Sequence, residues 1–106
     1  MKYVITENRL SNLVDKFIRF NYPNFNNEDT EIMKVDYEME GETYYLYYDA
    51  ESGGRPFARY WVWENDLQLR DDIFKQLENY FGGEHMSFII DWFNNEFNTD
   101  AESITF

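Results

Sequence analysis

The chain has no cysteine, which excludes disulfides, thiolate nucleophiles and zinc–thiolate centres together. It has one histidine, His85. No second strong ligand stands three or four residues further on, where Phe88 and Ile89 sit, so the two-ligand helical face of a metal site is missing. A hydrolytic triad using His85 as base needs Asp91 or another acid brought by the fold. No serine sits in a glycine-flanked elbow to serve as its nucleophile. No catalytic residue, no metal site and no cofactor are therefore expected.

Long apolar runs are missing too. None approaches the ~20 residues of a membrane span. The apolar residues after Met1 are interrupted by Lys2, Glu7 and Arg9, which does not read as a secretory signal. A cytoplasmic location follows by elimination. Positive charge is scarce: 9 Lys and Arg stand against 21 Asp and Glu, a formal net charge of −12. Affinity for phosphate backbones and anionic bilayers comes from Lys and Arg. Neither direct nucleic-acid binding nor membrane docking is expected.

Aromatic side chains are what the chain has in quantity, at 21% of its 106 residues. Each buries a large area, and this length suffices for one core and one domain spanning residues 1–106. The charge is unevenly spread. Residues 1–27 hold Lys2, Arg9, Lys16 and Arg19 against Glu7 and Asp15, a net +2, whereas residues 28–51 hold nine acids against Lys34, a net −8.

Periodicity places the elements. Leu10, Leu13, Val14, Phe17 and Ile18 form a helical stripe with Thr6 as its cap and Tyr22-Pro23 as its stop. Its other face carries Arg9, Ser11, Asn12, Lys16 and Arg19. Residues 31–49 read as a β-hairpin in which Met33, Val35, Tyr37 and Met39 alternate with Lys34, Asp36, Glu38 and Glu40. A two-residue turn at Gly41-Glu42 pairs Met39 with Tyr44, Tyr37 with Leu46 and Val35 with Tyr48 on a core face. Phe57 to Trp63 reads as a third strand, both faces bulky, while Leu67-Gln68-Leu69 is ambiguous. Ile73, Phe74, Leu77, Tyr80 and Phe81 mark a second helix stopped by Gly82-Gly83. Met86, Ile89, Ile90, Phe93 and Phe97 mark a third, and Glu102 to Phe106 alternates as a strand at the sheet edge would. The fold class is α+β: a small antiparallel sheet packed with three helices, in the order α-β-β-β-α-α with an optional last strand.

Several constellations have simpler explanations than chemistry. Asp71-Asp72 stands at a helix start, where carboxylates cap and meet the positive dipole end. The oxygen-rich run Asn26 to Glu31 lacks the alternation and central glycine of a calcium loop.

The segments VITENRLSNLV, DIFKQLENYFG and FIIDWFNNEF resemble short uncharacterised proteins encoded by large tailed phages. The likeness spans roughly the first 20 and last 40 residues. It implies a viral protein at work in a host cytoplasm and carries no catalytic residue with it.

The hairpin face opposite the predicted core gathers Asp36, Glu38, Glu40 and Asp49 around Tyr45 and Tyr47. Tyrosine is enriched at interfaces as a large rigid contact with a polar tip, and carboxylates steer basic partners. These six residues are the candidate partner-binding site of a non-enzymatic protein-binding module. Its sharper form is an inhibitor that mimics nucleic acid on a host or viral protein with a basic surface, as a monomer or small homo-oligomer. The alternatives are a structural or assembly component of a virion, and a sugar-binding module that stacks on Trp61 or Trp63.

Overall fold

A computed structural model describes residues 7–37, 41–50 and 54–105 of the chain. Helix α1 (Glu7–Asn21) leads into strands β1 (Thr30–Tyr37), β2 (Glu42–Asp49), β3 (Ala58–Trp61) and β4 (Asp66–Leu69). Helix α2 (Asp71–Phe81), a short 3₁₀ turn (Gly83–His85), helix α3 (Met86–Phe97) and strand β5 (Ser103–Thr105) complete it. The fold is α+β, as expected. No described helix is long and apolar enough to cross a membrane.

The strands form a five-stranded sheet in the order β1-β2-β3-β4-β5. All neighbours are antiparallel except β4 and β5, which run parallel. The ambiguous Leu67-Gln68-Leu69 segment lies in β4. Its alternation is clean, with Leu67 and Leu69 buried and Asp66 and Gln68 half-buried. Asn65 makes the turn before it possible. Its φ of 50° is left-handed, a conformation asparagine tolerates better than most residues. The Asn65 carbonyl then accepts the backbone N–H of Glu102 at 2.7 Å, which seats the entry to β5.

Every sheet residue in the hydrophobic core comes from one face. Tyr47, Ala58, Tyr60, Leu67 and Leu69 pack under Leu10, Val14 and Ile18 of α1, Ile73 and Leu77 of α2, and Ile89 and Phe93 of α3. The helices thus form one layer and the sheet another. Leu10 and Val14 share this core with Ile89 and Phe93, as their stripes predict, but Leu13 is exposed and Phe17 packs on Tyr80 and Phe81 of α2. The Thr6 cap lies outside the described residues.

The hairpin differs from expectation in two respects. Tyr37 pairs with Glu42 and Val35 with Tyr44, which leaves a four-residue connection, 38–41, in place of a two-residue turn. The change in register is even, so residues keep the face-mates that alternation assigns them. The core, however, is on the other face. Met33 is 47% exposed, while Tyr47 is 2% exposed beneath α3, its ring 4.9 Å from those of both Phe93 and Phe97. The physical reason lies in β3 and β4. Their apolar residues Ala58, Leu67 and Leu69 align across the sheet with Tyr45 and Tyr47, and the helices cover that side.

Candidate functional site

The register makes Tyr44, Leu46, Arg59, Trp61, Asp66 and Gln68 the centre of the face away from the helices. None of them belongs to the core cluster; Leu46 is buried and the other five are half-buried. Tyr44 and Trp61 are cross-strand partners with ring centroids 4.6 Å apart. The Arg59 guanidinium lies 5.0 Å from the Tyr44 ring centroid and 5.5 Å from that of Trp61, in cation–π range of both. Its partner across the ladder is Leu46, which is 8% exposed although it lies outside the core. An arginine stem laid over an apolar neighbour accounts for such burial.

Charge is arranged along this face. Beyond one end of the stack, Arg55, Arg59, Arg70 and Gln68 border a hollow of 260 Å³. Two of these arginines are already engaged. Arg55 donates to Asp71 at 3.1 Å, and Arg70 donates to Asp72 through Nε at 2.6 Å and Nη2 at 3.1 Å. Hydrogen bonds from Arg55 and Arg70 hold the Asp71 and Asp72 carboxyls below the usual carboxylate range. Groups held ionised in this way do not donate protons near neutral pH. Arg59, by contrast, has no carboxylate within ion-pair distance among the described residues. At the other end Trp61 borders a hollow of 330 Å³ with Glu42, Glu64 and Asp66.

The six predicted partner-binding residues do not form one surface. Tyr47 is core, and burial pushes its hydroxyl far above the ordinary tyrosine range; it offers no contact to a partner. Tyr45 is half-buried and lines a hollow on the helix side. Asp36 is exposed and accepts a hydrogen bond from Thr43 Oγ1 at 2.9 Å. Asp49 stands at the opposite end of the hairpin beside Asn24, 3.3 Å away. At ~3.3 Å rise per residue, these two acids are about 20 Å apart along the ladder. Glu38 and Glu40 lie outside the described residues.

The other polar clusters serve the fold. Asn26 Oδ1 accepts the backbone N–H groups of Glu28 and Asp29, each at 2.8 Å, so the oxygen-rich run closes on itself. Asp15 accepts from Trp92 Nε1 and Arg19 Nε, both at 2.9 Å, and so links α1 to α3. Among the described residues no three His, Cys, Asp or Glu side chains gather as a metal site would need.

Sequence reasoning passed over Tyr44 and Arg59. The signal that finds them is the Asp66-Leu67-Gln68-Leu69 alternation, which fixes the covered face on β4 and, carried across the register, on β3 and β2. No family model matches the chain, and no curated protein and no solved structure is significantly similar to it.

Proposed function

We propose that the chain is a non-enzymatic protein-binding module whose contact face is the open side of its sheet. One observation carries this: Tyr44, Arg59 and Trp61 form a half-buried cation–π stack on the sheet face opposite the helices. Tyr, Trp and Arg are the residues that dominate interface energetics, because they offer large rigid contacts with polar tips. The net charge of −12 favours encounter with a partner that has a basic surface. That partner is a host or viral protein if the likeness to phage proteins reflects the origin of the chain. The nucleic-acid-mimic form draws no support from Asp36 and Asp49, which stand at opposite ends of the hairpin.

The test is affinity capture from a bacterial lysate at low and high salt, comparing wild type with Trp61→Ala, Arg59→Ala and the double charge reversal Asp36→Lys/Asp49→Lys. The partner should be lost with either open-face variant and kept, with weaker salt dependence, by the charge reversal. A partner held equally well by Trp61→Ala and Arg59→Ala rules out this face.

The hollow beside Trp61 favours a second reading, a sugar-binding module. An aromatic ring edged by Glu42, Glu64 and Asp66 is the combination of stacking surface and acceptors that a pyranose uses. Ser103 and Thr105 already donate to Asp66, at 2.6 and 3.0 Å, and the exposed Glu64 is the acceptor that meets a ligand. Oligosaccharide binding that disappears in Trp61→Ala, with no protein captured, decides for sugar.

A further inference from the structure

The helix-side face of the sheet is not covered along its whole width. Past the end of α3, Tyr45, Tyr47 and Tyr60 border a hollow of 410 Å³, closed on its other side by Phe97, Asp100 and Ile32. This volume lies in the range of small-molecule sites, roughly 300–1,000 Å³. Tyr45 and Tyr60 are cross-strand partners, so their side chains stand next to each other on one face. Tyr47 is locked against Phe93 and Phe97, whereas the rings of Tyr45 and Tyr60 have no aromatic partner among the described residues. The Tyr60 hydroxyl donates to Asn65 Oδ1 at 3.1 Å, which fixes the ring in place.

Among the described residues, Asp100 is the only charged residue that lines the hollow. The C-terminal end of α3 forms its wall at Phe97 and Asn98, and the last turn of that helix has no basic side chain. A helix C-terminus carries roughly half a negative charge, so dipole and carboxylate add. The field reaches the ring: burial raises the Tyr60 hydroxyl, the Asp100 backbone N–H opposes this, and the Asp100 and Glu102 carboxylates raise it again. Lys34, the cross-strand partner of Tyr45 and the basic residue on this face of the described hairpin, is exposed and lies outside the lining.

We propose that this hollow binds an alkylammonium cation, with the half-buried Tyr45 ring as its aromatic wall, backed by the buried Tyr60 ring, and Asp100 with the α3 C-terminus as its counter-charge. Ring quadrupoles attract quaternary and secondary ammonium groups in this way. The cation is either a free small molecule or a methylated lysine on a polypeptide. This site is separate from the open face, so either stands if the other fails.

The test is NMR titration of the whole chain with choline, with its neutral isostere 3,3-dimethylbutan-1-ol, and with a short trimethyllysine peptide. Choline should move the ring signals of Tyr45 and Tyr60 saturably, and the isostere should bind about tenfold more weakly, the loss of one buried cation–π contact. Tyr45→Phe should bind choline as wild type does, Tyr45→Leu should lose most of the affinity, and Asp100→Asn should weaken it about threefold to tenfold. Arg59→Ala should change nothing. Tighter binding of the peptide than of choline places the cation on a polypeptide, and the reverse makes it a free ligand. Equal binding of choline and its isostere, wild-type affinity in Tyr45→Leu, or no saturable shift overturns the proposal.

Discussion

The two faces of the sheet are cut from the same strands and have much the same tyrosine content, yet they have opposite fates. In β2, Tyr47 sits under α3 at 2% exposure, while Tyr44, three residues earlier, stands on the face away from the helices against Arg59 and Trp61. Nothing in tyrosine chemistry decides between these places. The cross-strand neighbours do. Tyr47 stands beside Ala58 and, one strand further, Leu69, a row that buries no charge when helices close over it. Tyr44 stands beside Trp61 and then Asp66, and its diagonal neighbour is Arg59, whose own partner on the next strand is Gln68. Covering that row would mean desolvating a guanidinium and a carboxylate, which costs several kcal/mol or more. A large amphipathic ring takes the environment its row permits.

Mutation should separate the faces by stability. Phe93 is fully buried between Tyr47 and Phe25, so Phe93→Ala should cost about 3–5 kcal/mol in urea unfolding. Asn65 joins the two faces through its bond to Tyr60 and its carbonyl beneath β5. Asn65→Ala loses that bond and keeps a left-handed φ, for a cost of about 1–2 kcal/mol. Trp61 and Arg59 are half-buried on the other face, so Trp61→Ala should cost about 1–2 kcal/mol and Arg59→Ala about 1 kcal/mol or less. If Trp61→Ala were as damaging as Phe93→Ala, the open face would be a second core and the contrast between the faces would collapse.

The helices were legible because their periodicity is long and unambiguous. Leu10, Val14 and Ile18 in α1, and Ile73, Leu77 and Phe81 in α2, are all buried where the stripes put them. Short alternation also marked residues 31–49 as a hairpin and the tail as an edge strand, but it did not set the hairpin register. Which hairpin face meets the helices was not legible, because Tyr44 to Tyr48 carries apolar bulk on both sides. The alternation of β1, taken as the guide, belongs to an edge strand with Ile32 and Met33 both exposed. The strand that holds the answer, β4, has only four residues, too short a run to separate strand from helix by period. The candidate acids failed as a cluster for a related reason: alternation gives the face of a residue but not its distance along the ladder, and Asp36 and Asp49 share a face at opposite ends.

The smallest expected effect lies at the seam between the layers, where Arg70 is stacked over Phe57 at 5.5 Å and grips Asp72 with two nitrogens. The hydrogen bonds from Arg70 lower the Asp72 carboxyl below its ordinary value, more than burial raises it. A carboxyl whose folded value is depressed contributes stability above its unfolded value, ~3.9, and loses it as pH falls through the folded value. Wild type should therefore lose this contribution between about pH 4 and the lower folded value. Asp72→Asn, which has no proton to take up, should show a flatter stability curve across that window. The Asp72 side chain is 58% exposed, so screening by solvent limits the difference at neutral pH to about 1 kcal/mol or less. Urea unfolding of both proteins at pH 3 and pH 7 measures it. An equal loss of stability in Asp72→Asn would mean that the seam is held by the stacking of Arg70 on Phe57, with the ion pair contributing nothing, and would place Arg70 with the open-face cations.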